Sequence, residues 1–184
     1  MKLIATLTTI TTMVVTQLAF ASDKLPLSLL HANHHFELCD NYTLRYGFII
    51  KVAEIGWYAP SCTMDKPILQ APTKILRFYY FKDVSADFFK KSAEAYFLMN
   101  LNNKEEQLKL TASLKQFNDG YTDIKSGDYF DLMHIKNSHL SLFKNNKLLI
   151  SSSNPILANK YFNIWFGNKP VIEKLKHAFE KRSN

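Results

Sequence analysis

Two hydrophobic periods alternate along the chain. From Phe48 to Ala59 both parities are mainly apolar: Phe48, Ile50, Val52, Gly56 and Tyr58 on one, Ile49, Ala53, Ile55, Trp57 and Ala59 on the other. A strand covered on both faces, and hence central in its sheet, has this pattern. Lys74 to Phe81, "KILRFYYF", is dense in strand formers and predicts a second such element. The period then changes. In "SADFFKKSAEAYFLMN", Phe88, Phe89, Ser92, Ala93, Tyr96 and Phe97 fall on one helical stripe, with Asp83 or Ser85 placed to cap its start. A second helix is expected from about Lys104 to Phe117, with Leu110, Leu114 and Phe117 inward and Asn118-Asp119-Gly120 stopping it.

Strands return in "DYFDLMHI" and "SHLSLF". The run "LSLFKNNKLLIS" places two apolar segments around Asn145-Asn146, residues that tolerate the positive φ of a tight hairpin. Asn154-Pro155 is a cap followed by proline at the first helical position, opening a helix that carries Leu157, Tyr161, Ile164 and Trp165. Gly167 ends it. Asn168-Lys169-Pro170 starts another, bearing Ile172, Leu175, Ala178 and Phe179. Strands, two helices, three strands and two helices predict an α+β fold: a long twisted antiparallel sheet with a layer of helices packed on it.

The N-terminus changes the setting. Lys2, the apolar and Thr-rich run Leu3–Phe20, and the exit Ala19-Phe20-Ala21 have the form of a secretory signal peptide, with cleavage expected after Ala21. Threonines dilute the run below what a spanning helix needs. Residues 22–184 then form a single domain, expected to be periplasmic or secreted, with no transmembrane segment after cleavage. The formal charge of +7 is spread along the chain and mixed with acids, as on a solvated surface rather than a nucleic-acid face. Export places Cys39 and Cys62 in an oxidising compartment, which favours a bridge, while the extended chain between them opposes one unless it reverses. The sequence leaves that pairing open.

Candidate chemistry is sparse. His31, His34 and His35 are close together but lack a third-ligand partner of matching placement, so no metal is expected. Ser151, Ser152 and Ser153 have no nucleophile setting. Asp128 and Asp131, three apart on a strand, lie on opposite faces and cannot share an acid–base task. No phosphate loop or dinucleotide glycine pattern is present, and no cofactor is expected.

Taken in order, "KVAEIGWY", "SADFFKKSAEAYF", "KNNKLL" and "YFNIWFGNKPVIEKLK" give the chain from roughly His34 to its C-terminus a layout that resembles the chalcone isomerase-like proteins, including exported bacterial members. The resemblance implies a ligand cleft between sheet and helices. In plant-type isomerases an Arg orients a phenolate for addition to an enone, and Thr, Tyr and Asn hold a hydrogen-bonded water network. The resemblance matches the Thr to Ala53, the Tyr and Asn to Phe88 and Ala95, and a polar position of the last helix before the glycine to Ile164. Apolar groups in those places remove the preorganised donors of such chemistry.

Fatty-acid-binding relatives hold a carboxylate with an Arg and a Tyr. The Tyr position is again Ala53, and the Arg has a candidate in Arg45, which shares its parity; Lys51 is the next choice. The implied function is a non-enzymatic, exported binder of a small apolar or acidic-headed molecule such as a fatty acid. Two alternatives stay open. One is an isomerase or lyase acting on an enone with non-standard residues, for instance Arg45 with Tyr46 or Tyr79. The other is an envelope interaction protein with a vestigial cleft.

Overall fold

In the computed structural model the described residues are 24–31, 33–62, 67–136 and 139–181, so the expected leader lies outside them. Seven strands follow one another in a single sheet, each antiparallel to the next: β1 (Ser28–His31), β2 (His34–Tyr46), β3 (Ile50–Ala59), β4 (Lys74–Tyr80), β5 (Tyr129–His134), β6 (Leu140–Lys144) and β7 (Lys147–Ser152). Two helices, α1 (Ala86–Met99) and α2 (Lys104–Asn118), interrupt the strands after β4. Three more close the chain: α3 (Pro155–Tyr161), α4 (Asn163–Phe166) and α5 (Glu173–Lys181). This is the α+β arrangement read from the sequence. Among the described residues no helix is long and apolar enough to cross a membrane.

Turn chemistry sets much of the register. Asn145 and Asn146 adopt φ of 49° and 65° and join β6 to β7 by the tight turn expected of them. At the other hairpin the outcome differs from the expectation of a strand beginning at Phe48. Gly47, at φ 61°, lets the chain reverse, so Gly47, Phe48 and Ile49 form the turn and β3 starts at Ile50. Phe48 and Ile49 stand outside the ladder, 99% and 86% exposed. That reversal also resolves the cysteines. Leu38 pairs with Tyr58 and Asp40 with Trp57, leaving Cys39 as the extra residue of a bulge, and Cys39 is bridged to Cys62 with Cα atoms 5.1 Å apart.

The helices start on side-chain caps. The Ser85 hydroxyl accepts the Phe88 N–H at α1. Asp83, the other candidate, instead accepts from the Ser126 N–H and Lys125 Nζ. At α2 Asn103 accepts from the Glu106 N–H, while Glu106 reaches back to the Asn102 N–H. Asn154 caps α3 through the Ile156 and Leu157 N–H groups, with Pro155 in the first turn. The single helix expected over Leu157–Trp165 is divided at Phe162 into α3 and α4.

Gly167 follows α4, and a Cβ there would collide with the Asn100 side chain and the Asn163 carbonyl. Asn100 clamps the next loop by donating to the Lys169 carbonyl and accepting its N–H, both at 2.9 Å. Consequently α5 begins at Glu173, three residues beyond Pro170.

All helices pack on one face of the sheet. The main core lies between, where Ile55, Leu76, Leu132, Phe97, Leu114, Tyr161 and Leu175 are each at most 1% exposed. A smaller core, Leu29, Phe36, Tyr58, Ile75 and Met133, sits on the opposite face. There Asp131 of β5 accepts from Arg77 Nε and Nη2 at 2.6 Å each and meets His31 Nε2 of β1 at 3.2 Å. Four ladder steps separate β1 from β5, roughly 19 Å in a flat sheet. A side-chain contact across that span requires the sheet to curl strongly, and the curl is what closes the smaller core.

Candidate functional site

On the helical face a cavity of about 300 Å³ lies between β3–β6 and the helices. Its floor includes Ala53, Ile55, Phe78, Phe130 and Leu132; Phe88, Phe89, Ser92 and Ala93 of α1 form one wall, with Ile164 and Trp165 of α4 and the Val171-Ile172 loop above. Phe88 is the exposed residue of the lining, at 60%, and the cavity opens beside it; half-buried Leu44 and Val52, at the base of the β2–β3 hairpin, line it as well. None of the lining residues is an Asp, Glu, Lys, Arg or His.

The lining residues with polar side-chain atoms are Tyr80, Tyr121, Ser92 and Trp165. Tyr161 donates its proton to Asn118 Oδ1 at 2.7 Å. The same hydroxyl also meets the Tyr121 hydroxyl at 3.2 Å. Burial pushes the Tyr121 phenol up to about 12, partly offset by the hydrogen bond to Tyr161. Burial, with Tyr121 adding to it, also raises Tyr80 well above the ordinary phenol range. Both phenols are therefore neutral at physiological pH, and the site offers hydroxyls but no charge.

Of the residues singled out from the sequence, Ala53, Phe88 and Ile164 come together around this cavity. Ala95 does not. It lies on the stripe of α1 that carries Phe88, but seven residues on, about 10 Å along the axis, that stripe has passed the opening and Ala95 is exposed.

Arg45 and Lys51 also lie outside it, for a register reason. Leu44 pairs with Ala53 but Arg45 pairs with Lys51, so Val52 is an extra residue in β3. At a bulge two consecutive side chains face the same way. Val52 and Ala53 both line the cavity, Leu44 takes the place that parity assigned to Arg45, and the two cations fall outside. Arg45 Nη1 donates to the Ile49 carbonyl at 3.3 Å, and Lys51 Nζ donates to Glu54 Oε1 at 3.0 Å. Tyr46, exposed on the hairpin, and Tyr79 are likewise absent from the lining.

The remaining candidates have structural partners. His31 is committed to Asp131, whereas His34 and His35 are exposed and, as neighbours on a strand, point to opposite faces. Asp128 bonds Lys144, Asn145 and the Lys125 N–H. Ser151 shares a hydrogen bond with Ser141. Sequence reasoning missed Leu44, Val52, Tyr80 and Tyr121 as lining residues. The Phe89, Ser92, Ala93 stripe was visible as an inward helix face, but a stripe does not say whether it meets core or void.

A curled antiparallel sheet covered on one face by helices, with an uncharged apolar cavity between, defines an α+β protein of the small-ligand-pocket kind. A family model described as chalcone isomerase-like matches residues 19–179, and the chain belongs to that family. Among solved structures the fold is shared with a fatty-acid binding protein of Arabidopsis thaliana, at 14% identity and a TM-score of 0.57, covering 85% of this chain and 97% of that one. No curated protein matches the chain.

Proposed function

We propose that the protein is an exported, non-enzymatic binder of a small, predominantly apolar molecule, with a fatty acid as the favoured ligand. The observation that carries this reading is the cavity itself: lined mainly by apolar side chains, with no Asp, Glu, Lys, Arg or His among them. The positions that the resemblance assigns to a catalytic Thr, Tyr and Asn are Ala53, Phe88 and Ala95, so no set of donors is held toward a developing oxyanion there. Ala53, Phe88 and Ile164 act as contact surface for the ligand. The volume, about 300 Å³, is at the small end for such sites and suits a slim chain better than a fused-ring substrate.

The fatty-acid binding of the Arabidopsis structure favours the same ligand class. With Arg45 directed away, an acidic head is held at the opening or by the Tyr80 and Tyr121 hydroxyls rather than by a buried cation. Export is supported by the form of residues 1–21 and by the Cys39–Cys62 bridge, which suits an oxidising compartment.

Native mass spectrometry of protein purified without delipidation tests the reading, together with displacement of a fluorescent fatty acid. Retained acyl-sized mass and saturable displacement are expected. Absence of both, or turnover of chalcone-like enones by the purified protein, overturns it.

A further inference from the structure

The β2–β3 hairpin ends in a feature the fold itself does not use. Tyr46, Phe48 and Ile49 are 77%, 99% and 86% exposed, and Ile50 beside them is half exposed. Four large apolar residues in five positions at a hairpin tip cannot be ascribed to core packing. Solvent-facing tips ordinarily carry small or polar residues, and a contiguous exposed apolar patch marks a surface that meets something apolar.

Behind the tip stand cations. Arg45 and Lys51 are direct cross-strand partners, an arrangement that costs free energy by like-charge repulsion unless an anion lies over it. The Lys24 and Lys51 ammonium groups both lie over the Phe81 ring, 4.9 and 5.4 Å from its centroid. Glu54 offsets one of these charges through its ion pair with Lys51. The remaining charge at the hairpin base is positive.

An apolar tip a few residues long, collared by Lys and Arg, has the chemistry of a segment that rests in the headgroup layer of an anionic bilayer. Side chains at the tip reach the acyl boundary while the cations meet phosphates. A second copy of the same chain would set this positive collar against another positive collar, so charge complementarity argues against that occupant. Leu44 and Val52, at the base of the same hairpin, line the cavity together with the exposed Phe88 of α1.

We infer that the β2–β3 hairpin docks the protein on an anionic lipid surface, with Phe48 and Ile49 inserted and Arg45 and Lys51 on the headgroups, and so presents the cavity opening to the bilayer. Docking stands on the hairpin alone. Exchange of an apolar ligand with the bilayer rests in addition on the reading proposed above.

The test uses protein recovered after expression of the full chain, its N-terminus fixed by mass spectrometry so that variants are compared with identical ends. Flotation is measured with vesicles of phosphatidylcholine and of phosphatidylcholine mixed equally with phosphatidylglycerol. Binding about tenfold or more tighter to the mixed vesicles is expected, weakening with salt. Phe48→Ser with Ile49→Ser should lower it by about tenfold or more without shifting the thermal transition, since both positions are exposed.

Arg45→Gln with Lys51→Gln should remove the preference for anionic lipid. Phe48→Trp gives a second readout that needs no loss of function: its emission moves to the blue on adding mixed vesicles. Equal binding to both vesicle types, unchanged binding by the serine variant, an unmoved tryptophan spectrum, or a dimer in light scattering that the serine variant abolishes each overturns the inference. Fatty-acid displacement in vesicle-free solution is run on the same samples. If it fails while flotation succeeds, the ligand is wrong and the docking surface stands; the converse result removes the docking surface alone.

Discussion

His134 shows what one buried titratable side chain does to the molecule. It lies on β5, opposite Lys74 of β4 in the ladder, is 7% exposed, and its Nδ1 has no hydrogen-bond partner. Burial, and then the neighbouring Lys74 ammonium, lower its pKa from the ordinary 6.5 to about 4. Burial brings Lys74 down to about 8, so it remains charged throughout the acid range, held by the carbonyls of Ile68, Leu69 and Ala71.

The unfolded chain takes up a proton at this histidine near pH 6.5 and the folded chain only near pH 4, so the unfolded state binds more protons between those values. Stability is therefore lost as pH falls through that window, by roughly 2–3 kcal/mol from this group. Urea titrations at several pH values should show that slope, and His134→Leu should flatten it. An unchanged slope in the variant would assign the acid lability elsewhere. In the sequence His134 and His139 flank a strand turn, where exposure is expected; His134 is buried instead. Its burial depends on Lys74 and Phe162, which only the folded topology brings near.

At the level of elements, local rules carried far. The Asn145-Asn146 hairpin, the Asn154 cap, and the inward faces of α2 and α5 follow from spacing and cap chemistry alone and appear in the structure, while of the two caps open for α1 the fold uses Ser85. What spacing could not supply was the two bulges of the β2–β3 pair. The bulge at Val52 turns Arg45 away from the cavity. Parity counted through a hairpin fails whenever one strand holds an extra residue, and nothing in the apolar run marks which residue that is. Likewise Phe48 and Ile49 have strand-like composition but occupy the turn, because Gly47 decides where the chain reverses.

The other bulge, at Cys39, is tied by the bridge to Cys62 across a loop of 23 positions. Closing a loop of that size in the unfolded chain predicts that Cys39→Ser with Cys62→Ser lowers stability by about 3 kcal/mol. Thermal melts should show the loss. Reductant should reproduce it in the native protein and leave the double variant unmoved.

On the scale of the whole molecule, the two faces of the sheet are covered differently. His31 of β1 reaching Asp131 of β5 draws the sheet around the smaller core, and on the other face α1 and α4 cover the sheet without filling all the space above Ala53 and Phe78. Apolar periodicity locates the elements that meet there but cannot distinguish a filled interior from a hollow one, since both are lined by the same residue types. Volume is settled by how closely the helices approach the sheet, which no single element determines.

Ala53 gives a way to separate the two contributions. It is fully buried, lies on the cavity floor, and its methyl faces the void. Enlarging a core residue in a well-packed interior forces strain and costs typically about 1–3 kcal/mol. Where the added atoms enter an empty apolar space they are instead removed from water or vacuum into contact, which offsets that cost. Ala53→Leu is thus expected to change stability by less than about 1 kcal/mol while weakening fatty-acid displacement about tenfold or more. Urea denaturation and the displacement titration read these separately. A large loss of stability would mean that the space is already occupied by packed atoms. Full binding with full stability would place the ligand away from Ala53, toward the Phe88 opening.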